Sequence, residues 1–151
     1  MNEFRRATLK AAAAFLLASG LLHPLRALAA GWNKAAFASK TPADALKNIG
    51  ASSTLESKDI LIEAPQIAEN GAVVPIEVTS NIPGTKSLSV LIEKNPFPLA
   101  GQFEFMDGAL PYVKINVKMG ESSNVRVVAE AGGKHFTAVK EIKVTIGGCG
   151  G

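Results

Sequence analysis

Cysteine, histidine and aromatic residues are scarce in this sequence of 151 residues. It contains one cysteine, two histidines and one tryptophan, and aromatic side chains make up 6% of the chain. One cysteine cannot form a disulfide within the chain, and a zinc site needs three or four ligands at fixed spacing, which the sequence does not show. We therefore expect no metal site and a core held together by packing.

The sequence also lacks the patterns that support catalysis. His135 is the one histidine outside the N-terminal segment, and no serine or cysteine has a recognisable base beside it in sequence. The run Gly132-Gly133-Lys134 fits a hairpin turn better than a phosphate-binding loop. The carboxylates are scattered between apolar neighbours, as on a solvated sheet face. We expect a protein that is not an enzyme and binds no cofactor.

Positive charge is concentrated in a short part of the chain. The net charge is +3. Residues 1–29 contain four basic residues and one acidic residue, whereas the remaining chain holds 12 of each kind. A near-neutral domain does not indicate binding to nucleic acid or to an anionic membrane surface.

Residues 1–29 have the composition of an export signal. A basic start that includes Lys10 precedes residues 11–25, which contain no Asp, Glu, Lys or Arg. This apolar stretch is shorter than the roughly 20 residues that span a bilayer as a helix. Residues 27–29, Ala-Leu-Ala, match the A-x-A pattern of small residues that precedes a signal-peptide cleavage site. We predict a mature chain that begins at Ala30, lies in the periplasm and has no membrane span after processing.

Two adjacent arginines suggest the export route. Arg5 and Arg6 begin the run Arg-Arg-Ala-Thr-Leu-Lys, which resembles a twin-arginine signal. Phe4 and Thr8 depart from the residues most usual at their positions, and a Sec signal also tolerates two arginines. We favour the twin-arginine route, and the Sec route remains the alternative.

The first part of the mature chain, residues 30–58, is predicted to be a helical segment. Thr41 is suited to cap a helix that begins at Pro42, with Asp44 in its first turn. Gly50 fits the C-terminal stop. Two aromatic residues are expected to anchor this segment on the larger domain: Trp32 and Phe37.

In residues 59–146 apolar and polar residues alternate with a period of two. The clearest run alternates Val113, Ile115 and Val117 with polar residues. Such alternation is typical of antiparallel strands with one solvated face. Seven short runs separated by turn residues predict an all-β fold, an immunoglobulin-like antiparallel β-sandwich with a short N-terminal helical segment. The runs lie in residues 60–63, 74–79, 88–93, 103–105, 112–119, 125–129 and 141–146.

The chain ends with Gly147-Gly148-Cys149-Gly150-Gly151, directly after the last predicted strand. We call these residues the C-terminal arm. Glycines have the greatest backbone freedom, so we predict a mobile swinging arm that holds the thiol away from the domain. A solitary exposed thiol in an oxidising compartment is prone to oxidation. We therefore interpret Cys149 as a covalent attachment point.

These features together resemble the Y subunit of the bacterial sulfur-oxidation (Sox) carrier complex, the SoxY family. The resemblance covers the signal, the helical segment, the sandwich and the arm. Residues 94–98 and 143–146 are also similar to that family. It implies that Cys149 carries sulfur intermediates, so that the chain needs no cofactor beyond its covalent sulfur adducts.

The resemblance also implies partners. Thiosulfate would be joined to Cys149 by a c-type cytochrome of the SoxXA type, and a SoxB-like hydrolase would release sulfate. A SoxCD-like sulfane dehydrogenase, where present, would oxidise the remaining sulfur. A small SoxZ-like β-sandwich subunit would form a heterodimer with this chain, and we expect the final strand, beside the arm, to be its docking side.

Two other hypotheses stay open from the sequence. In the first, the sandwich is a structural or binding module that forms intermolecular disulfides through Cys149. In the second, the protein is a cysteine-dependent redox enzyme, although it lacks a resolving cysteine and a local base.

Overall fold

The computed structural model describes residues 31–145. The chain divides into two units, residues 1–32 and 33–151, and only Gly31 and Trp32 of the first unit are described. The predicted signal and the C-terminal arm lie outside the described residues. The elements are α1 (Lys34–Phe37), α2 (Pro42–Asn48), β1 (Leu55–Glu56), β2 (Ile60–Glu63), β3 (Ile67–Ala68), β4 (Val74–Ser80), β5 (Thr85–Ile92), β6 (Leu99–Glu104), β7 (Tyr112–Val117), β8 (Ser123–Ala131) and β9 (Lys134–Val144).

The strands form two sheets, and the predicted immunoglobulin-like β-sandwich is confirmed. The larger sheet has the order β1-β9-β8-β5-β6, with β3 also paired to β9, and the smaller sheet has the order β2-β4-β7. The long strands pair antiparallel, whereas the two-residue strands β1 and β3 run parallel to β9. β1 lies within the segment that was predicted to be helical.

The inner faces of the two sheets form the main core. In β4, Val74, Ile76 and Val78 are fully buried, and the intervening residues are at least partly exposed. In the larger sheet, β8 contributes Val125 and Val127 to the same core. The period-two pattern therefore places its apolar residues between the sheets, where burial of side chains of this size contributes roughly 1.5–3 kcal/mol each.

A second core lies on the outer face of the larger sheet, beneath the helices. Leu91 and Val128 are buried there against the helical segment. Leu91 occupies a position at which the alternation of β5 would place a polar residue, so its apolar character reflects a covered outer face. The other buried members of this cluster are Ala36, Ala45, Ala51 and Leu99.

The helical segment contains two helices, α1 and α2. The hydroxyl of Thr41 accepts a hydrogen bond from the backbone N–H of Asp44 at 3.1 Å, as predicted for the cap, and Gly50 has a φ of +80° after the helix. Phe37 packs against the second core, as expected. Trp32, in contrast, is 71% exposed and is not part of either core.

We predict that Leu91→Ala lowers the free energy of unfolding by about 2–4 kcal/mol, because it removes a fully buried side chain between sheet and helices. Leu61→Ala is the matched control, since Leu61 is 44% exposed, and its cost is expected to be below about 1 kcal/mol. Urea denaturation measures both. Equal costs for the two variants would show that the helices do not bury Leu91.

Candidate functional site

The predicted attachment site, Cys149, and the four glycines of the C-terminal arm lie outside the described residues, as do Arg5 and Arg6 of the predicted signal. The structure does describe the strand that leads to the arm, as far as Thr145. We call Val144, Thr145 and the residues that hydrogen-bond them the arm base.

One edge of the arm base is held by β3. The backbone N–H of Lys143 donates to the carbonyl of Gln66 at 2.9 Å, and that of Thr145 donates to the carbonyl of Ala68 at 3.1 Å. The hydroxyl of Thr145 is 3.4 Å from the same Ala68 oxygen. A two-residue strand thus fixes the backbone up to the last described residue.

The opposite edge is held by a side chain. The Ser122 hydroxyl accepts a hydrogen bond from the backbone N–H of Val144 at 2.9 Å and lies 3.4 Å from the Val144 carbonyl oxygen. This serine immediately precedes β8, whose first residue, Ser123, pairs with Ile142. The Ser122 hydroxyl therefore continues the hydrogen bonding between β8 and β9 by one residue before the start of β8.

Gly71 supports the arm base from a neighbouring loop. Its carbonyl accepts a hydrogen bond from the backbone N–H of Met119 at 2.7 Å. A Cβ at this position would lie 2.3 Å from the Met119 carbonyl oxygen and 2.9 Å from a methyl carbon of Val144. Only glycine fits this close approach. Gly71 lies between the predicted runs 60–63 and 74–79, and a local sequence pattern does not reveal its contact with the last strand.

The arm base limits which groups the thiol can reach. Cys149 lies four positions after Thr145, so their Cα atoms are at most about 14 Å apart. His135 is at the opposite end of β9, ten residues before Thr145, a distance of about 30 Å at strand rise. His135 of the same chain is therefore too far away to act as a base for Cys149.

Charged groups near the arm base carry both signs. Lys94 and Glu121 form an ion pair at 3.4 Å, and each side chain is more than half exposed. Within residues 31–145 there is no group of three or more His, Cys, Asp or Glu side chains that could hold a metal ion. The described residues around the arm base therefore resemble an ordinary solvated surface.

A second group of interacting charges lies on the outer face of the smaller sheet. Glu77 accepts hydrogen bonds from the Lys114 ammonium group and from the Tyr112 hydroxyl, both at 2.6 Å. The Lys114 hydrogen bond, followed by that of Tyr112, holds the pKa of Glu77 below its usual value. The same contacts raise the pKa values of Lys114 and Tyr112. These residues join β4 to β7 across an exposed face, as predicted for the scattered carboxylates.

Comparison with known proteins identifies the family. The model of the family "Sulfur oxidation protein SoxY" matches residues 46–149, a range that ends at the single cysteine. The chain belongs to the SoxY family. The resemblance noted in the sequence is thereby confirmed.

A solved SoxY structure agrees with this assignment. The sulfur carrier protein SoxY from Chlorobium limicola f thiosulfatophilum is 38% identical, with a TM-score of 0.65, over 75% of this chain and 99% of that chain. A superoxide reductase (neelaredoxin) from Ignicoccus hospitalis is 22% identical over 56% of this chain and 79% of its own, with a TM-score of 0.51, and is similar in fold. A search of the curated proteins found no significant match. No helix within residues 31–145 is long and apolar enough to cross a membrane.

Removal of the Ser122 hydroxyl tests the arm base. Ser122→Ala leaves the backbone N–H of Val144 without its acceptor, so we expect a loss of about 1–2 kcal/mol in unfolding free energy and faster hydrogen exchange at Val144. Ser53→Ala, at an exposed serine, is the control and should change neither quantity. Unchanged exchange at Val144 in the Ser122→Ala protein would contradict the role assigned to this hydroxyl.

The Glu77 cluster predicts a pH dependence. Because the folded-state pKa of Glu77 is lowered, its contribution to stability is present above the unfolded-state pKa and is lost as the pH falls through the folded-state value. Urea unfolding at about pH 6 and about pH 3 should show a smaller acid destabilisation for Glu77→Gln than for the parent protein. The exposed Glu56→Gln serves as control, and equal acid sensitivity of all three proteins would refute the assignment.

Proposed function

We propose that this SoxY family member is a periplasmic sulfur carrier that holds thiosulfate-derived intermediates covalently on Cys149 and presents them to partner enzymes. The observation that carries the proposal is the family match that runs to Cys149. The arm base supports it, because the strand leading to the arm is hydrogen-bonded on both edges as far as Val144 and Thr145. The signal-like residues 1–29 support the periplasmic location.

Loading forms a disulfide bond between the Cys149 sulfur and the outer sulfur of thiosulfate. The thiol loses its proton and the pair of sulfur atoms gives up two electrons, which a SoxXA-like c-type cytochrome accepts. Water then cleaves the bond to the sulfonate group in a SoxB-like hydrolase, which releases sulfate and leaves a persulfide on Cys149. Where a SoxCD-like dehydrogenase is present, it accepts six electrons as water oxygens convert the outer sulfur to a sulfonate. A second hydrolysis releases this group as sulfate and restores the thiol.

The described residues fit a carrier that relies on other active sites. His135 lies about 30 Å from the arm base, so it is out of reach of the thiol. The charged residues described beside the arm base carry both signs: Lys94 pairs with Glu121, and the exposed Glu141 and Lys143 lie on the strand that leads to the arm. Activation of the thiol is therefore a task for the partner enzymes, and the domain supplies a fixed origin from which the arm raises the local concentration of the sulfur adduct.

We expect Cys149→Ser to abolish thiosulfate-dependent electron transfer in a reconstituted system with the SoxXA-like and SoxB-like proteins, because the serine oxygen cannot form the disulfide. Reduction of the cytochrome haem measures turnover. Full turnover by the Cys149→Ser protein would contradict the proposal. If that protein merely lost a disulfide-linked oligomer, the binding-module hypothesis would be favoured instead.

A relocated thiol provides the matched control. Gly147→Cys combined with Cys149→Ser keeps one cysteine but moves it two residues toward the strand, which shortens its reach by about 7 Å. We expect this protein to react normally with a small thiol reagent and to lose at least about tenfold in turnover. Turnover equal to that of the parent would show that the length of the arm is immaterial.

A further inference from the structure

One asparagine in the sequence is followed directly by glycine, Asn70 before Gly71, and every other asparagine precedes a larger residue. The pair lies in the loop between β3 and β4, where Asn70 is exposed to solvent. This loop adjoins the arm base, because a Cβ at Gly71 would press against a methyl carbon of Val144. An Asn-Gly pair therefore lies at a point where the backbone has little room to move.

The loop folds Asn70 into a tight turn. The side-chain oxygen of Asn70 accepts a hydrogen bond from the backbone N–H of Ala72 at 2.9 Å, and its carbonyl oxygen accepts one from the N–H of Val73 at 3.4 Å. Asparagine favours this arrangement because its side-chain carbonyl imitates a backbone carbonyl. The hydrogen bond to Ala72 holds the side-chain amide beside the peptide group that follows it.

Two further features favour attack on this amide by the backbone nitrogen of Gly71. Within residues 31–145 the Gly71 N–H donates to no acceptor, so no hydrogen bond within the described protein is lost when this nitrogen reacts. Glycine also has no Cβ that would shield the nitrogen or restrict the rotation needed for ring closure. The N–H of Ala72, at the amide oxygen, stabilises the negative charge that develops there during the attack.

We propose that Asn70 is a site of spontaneous modification, at which attack by the Gly71 nitrogen leads to an isoaspartyl linkage beside the arm base. The nitrogen loses its proton and bonds to Cγ of Asn70, which closes a succinimide ring and expels ammonia. Water then opens the ring. The overall change consumes water and releases ammonia, so no electron is transferred and no enzyme is needed.

The ring opens to two products that differ in their backbone. Hydrolysis at one carbonyl gives an ordinary aspartate, which adds a negative charge and leaves the main chain unchanged. Hydrolysis at the other carbonyl gives isoaspartate, in which the main chain passes through Cγ and gains a methylene group before Gly71. Only the isoaspartyl product lengthens the loop.

The lengthened loop meets a closely packed neighbour. The Gly71 carbonyl accepts a hydrogen bond from the Met119 N–H at 2.7 Å, and even a Cβ at Gly71 would collide with the Met119 carbonyl oxygen. Met119 belongs to the main core and is 2% exposed. The extra methylene must therefore displace either this contact or the strand on the other side of the loop.

The strand on that side is β3, which supports the arm base directly. The Ala68 carbonyl accepts a hydrogen bond from the N–H of Thr145 at 3.1 Å. Ala68 and Gly71 are three positions apart, and Asn70 lies between them. A longer link cannot keep both contacts in register, so the isoaspartyl form holds the arm base less firmly. This inference does not depend on what Cys149 carries.

Ageing of the purified protein in mildly alkaline buffer tests the modification. Trypsin releases residues 59–86, which contain Asn70 and also the exposed Asn81. Asn81 is the internal control, because it precedes Ile82, whose N–H is bonded to the Ser80 hydroxyl. We expect the peptide to gain about 1 Da and an isoaspartate at position 70 at least about tenfold faster than Asn81 changes. Equal rates at the two asparagines would overturn the proposal.

Hydrogen exchange measures the effect on the arm base. In the isoaspartyl protein, separated by ion exchange, the amide hydrogens of Met119 and Val144 are expected to exchange at least about fivefold faster than in the fresh protein. Asn70→Asp is the matched control, because it adds the same charge without lengthening the main chain, and it should change neither rate by more than about twofold. Unchanged exchange at Val144 in the isoaspartyl protein, or equal acceleration in Asn70→Asp, would overturn the link to the arm base.

Discussion

The backbone of β9 connects the parts of the molecule that bear on the proposed function. Its inner edge pairs with β8 over nine register positions, and its outer edge pairs with β1 and β3. At its end, Ser122 and Ala68 hold Val144 and Thr145 from the two edges. The strand that precedes the C-terminal arm is therefore hydrogen-bonded on both edges as far as Val144 and Thr145.

The layers behind β9 explain why a small domain without a disulfide keeps this strand in place. The larger sheet is covered on its inner face by the smaller sheet and on its outer face by the helices, so residues such as Leu88 and Leu91 are both fully buried although they point to opposite faces. The cation–π contact of Lys40 with the ring of Phe97, at 3.5 Å, joins the helical segment to the loop between β5 and β6. The helices thus stabilise the same sheet that carries the arm base.

The sequence predicted those features that depend on neighbours along the chain. The Thr41 cap, the alternation of β4 and β7, and the two-glycine turn between β8 and β9 each have a local pattern. β1 and β3 were missed because a two-residue strand contains too few positions to show a period. Ser122 and Gly71 were missed as supports of the arm base because their partners lie more than 20 residues away. The roles of Cys149 and of Arg5 and Arg6 stay predictions.

The central claim is that Cys149 carries the sulfur. Trypsin cleaves after Lys143 and so releases residues 144–151, which contain the only cysteine. Mass spectrometry of this peptide, prepared without reductant from cells grown on thiosulfate, measures the adduct directly. We predict species heavier than the free thiol by one S₂O₃ group and by one sulfur atom, both removed by reduction. A peptide found only as the free thiol or as a simple disulfide dimer would contradict the account.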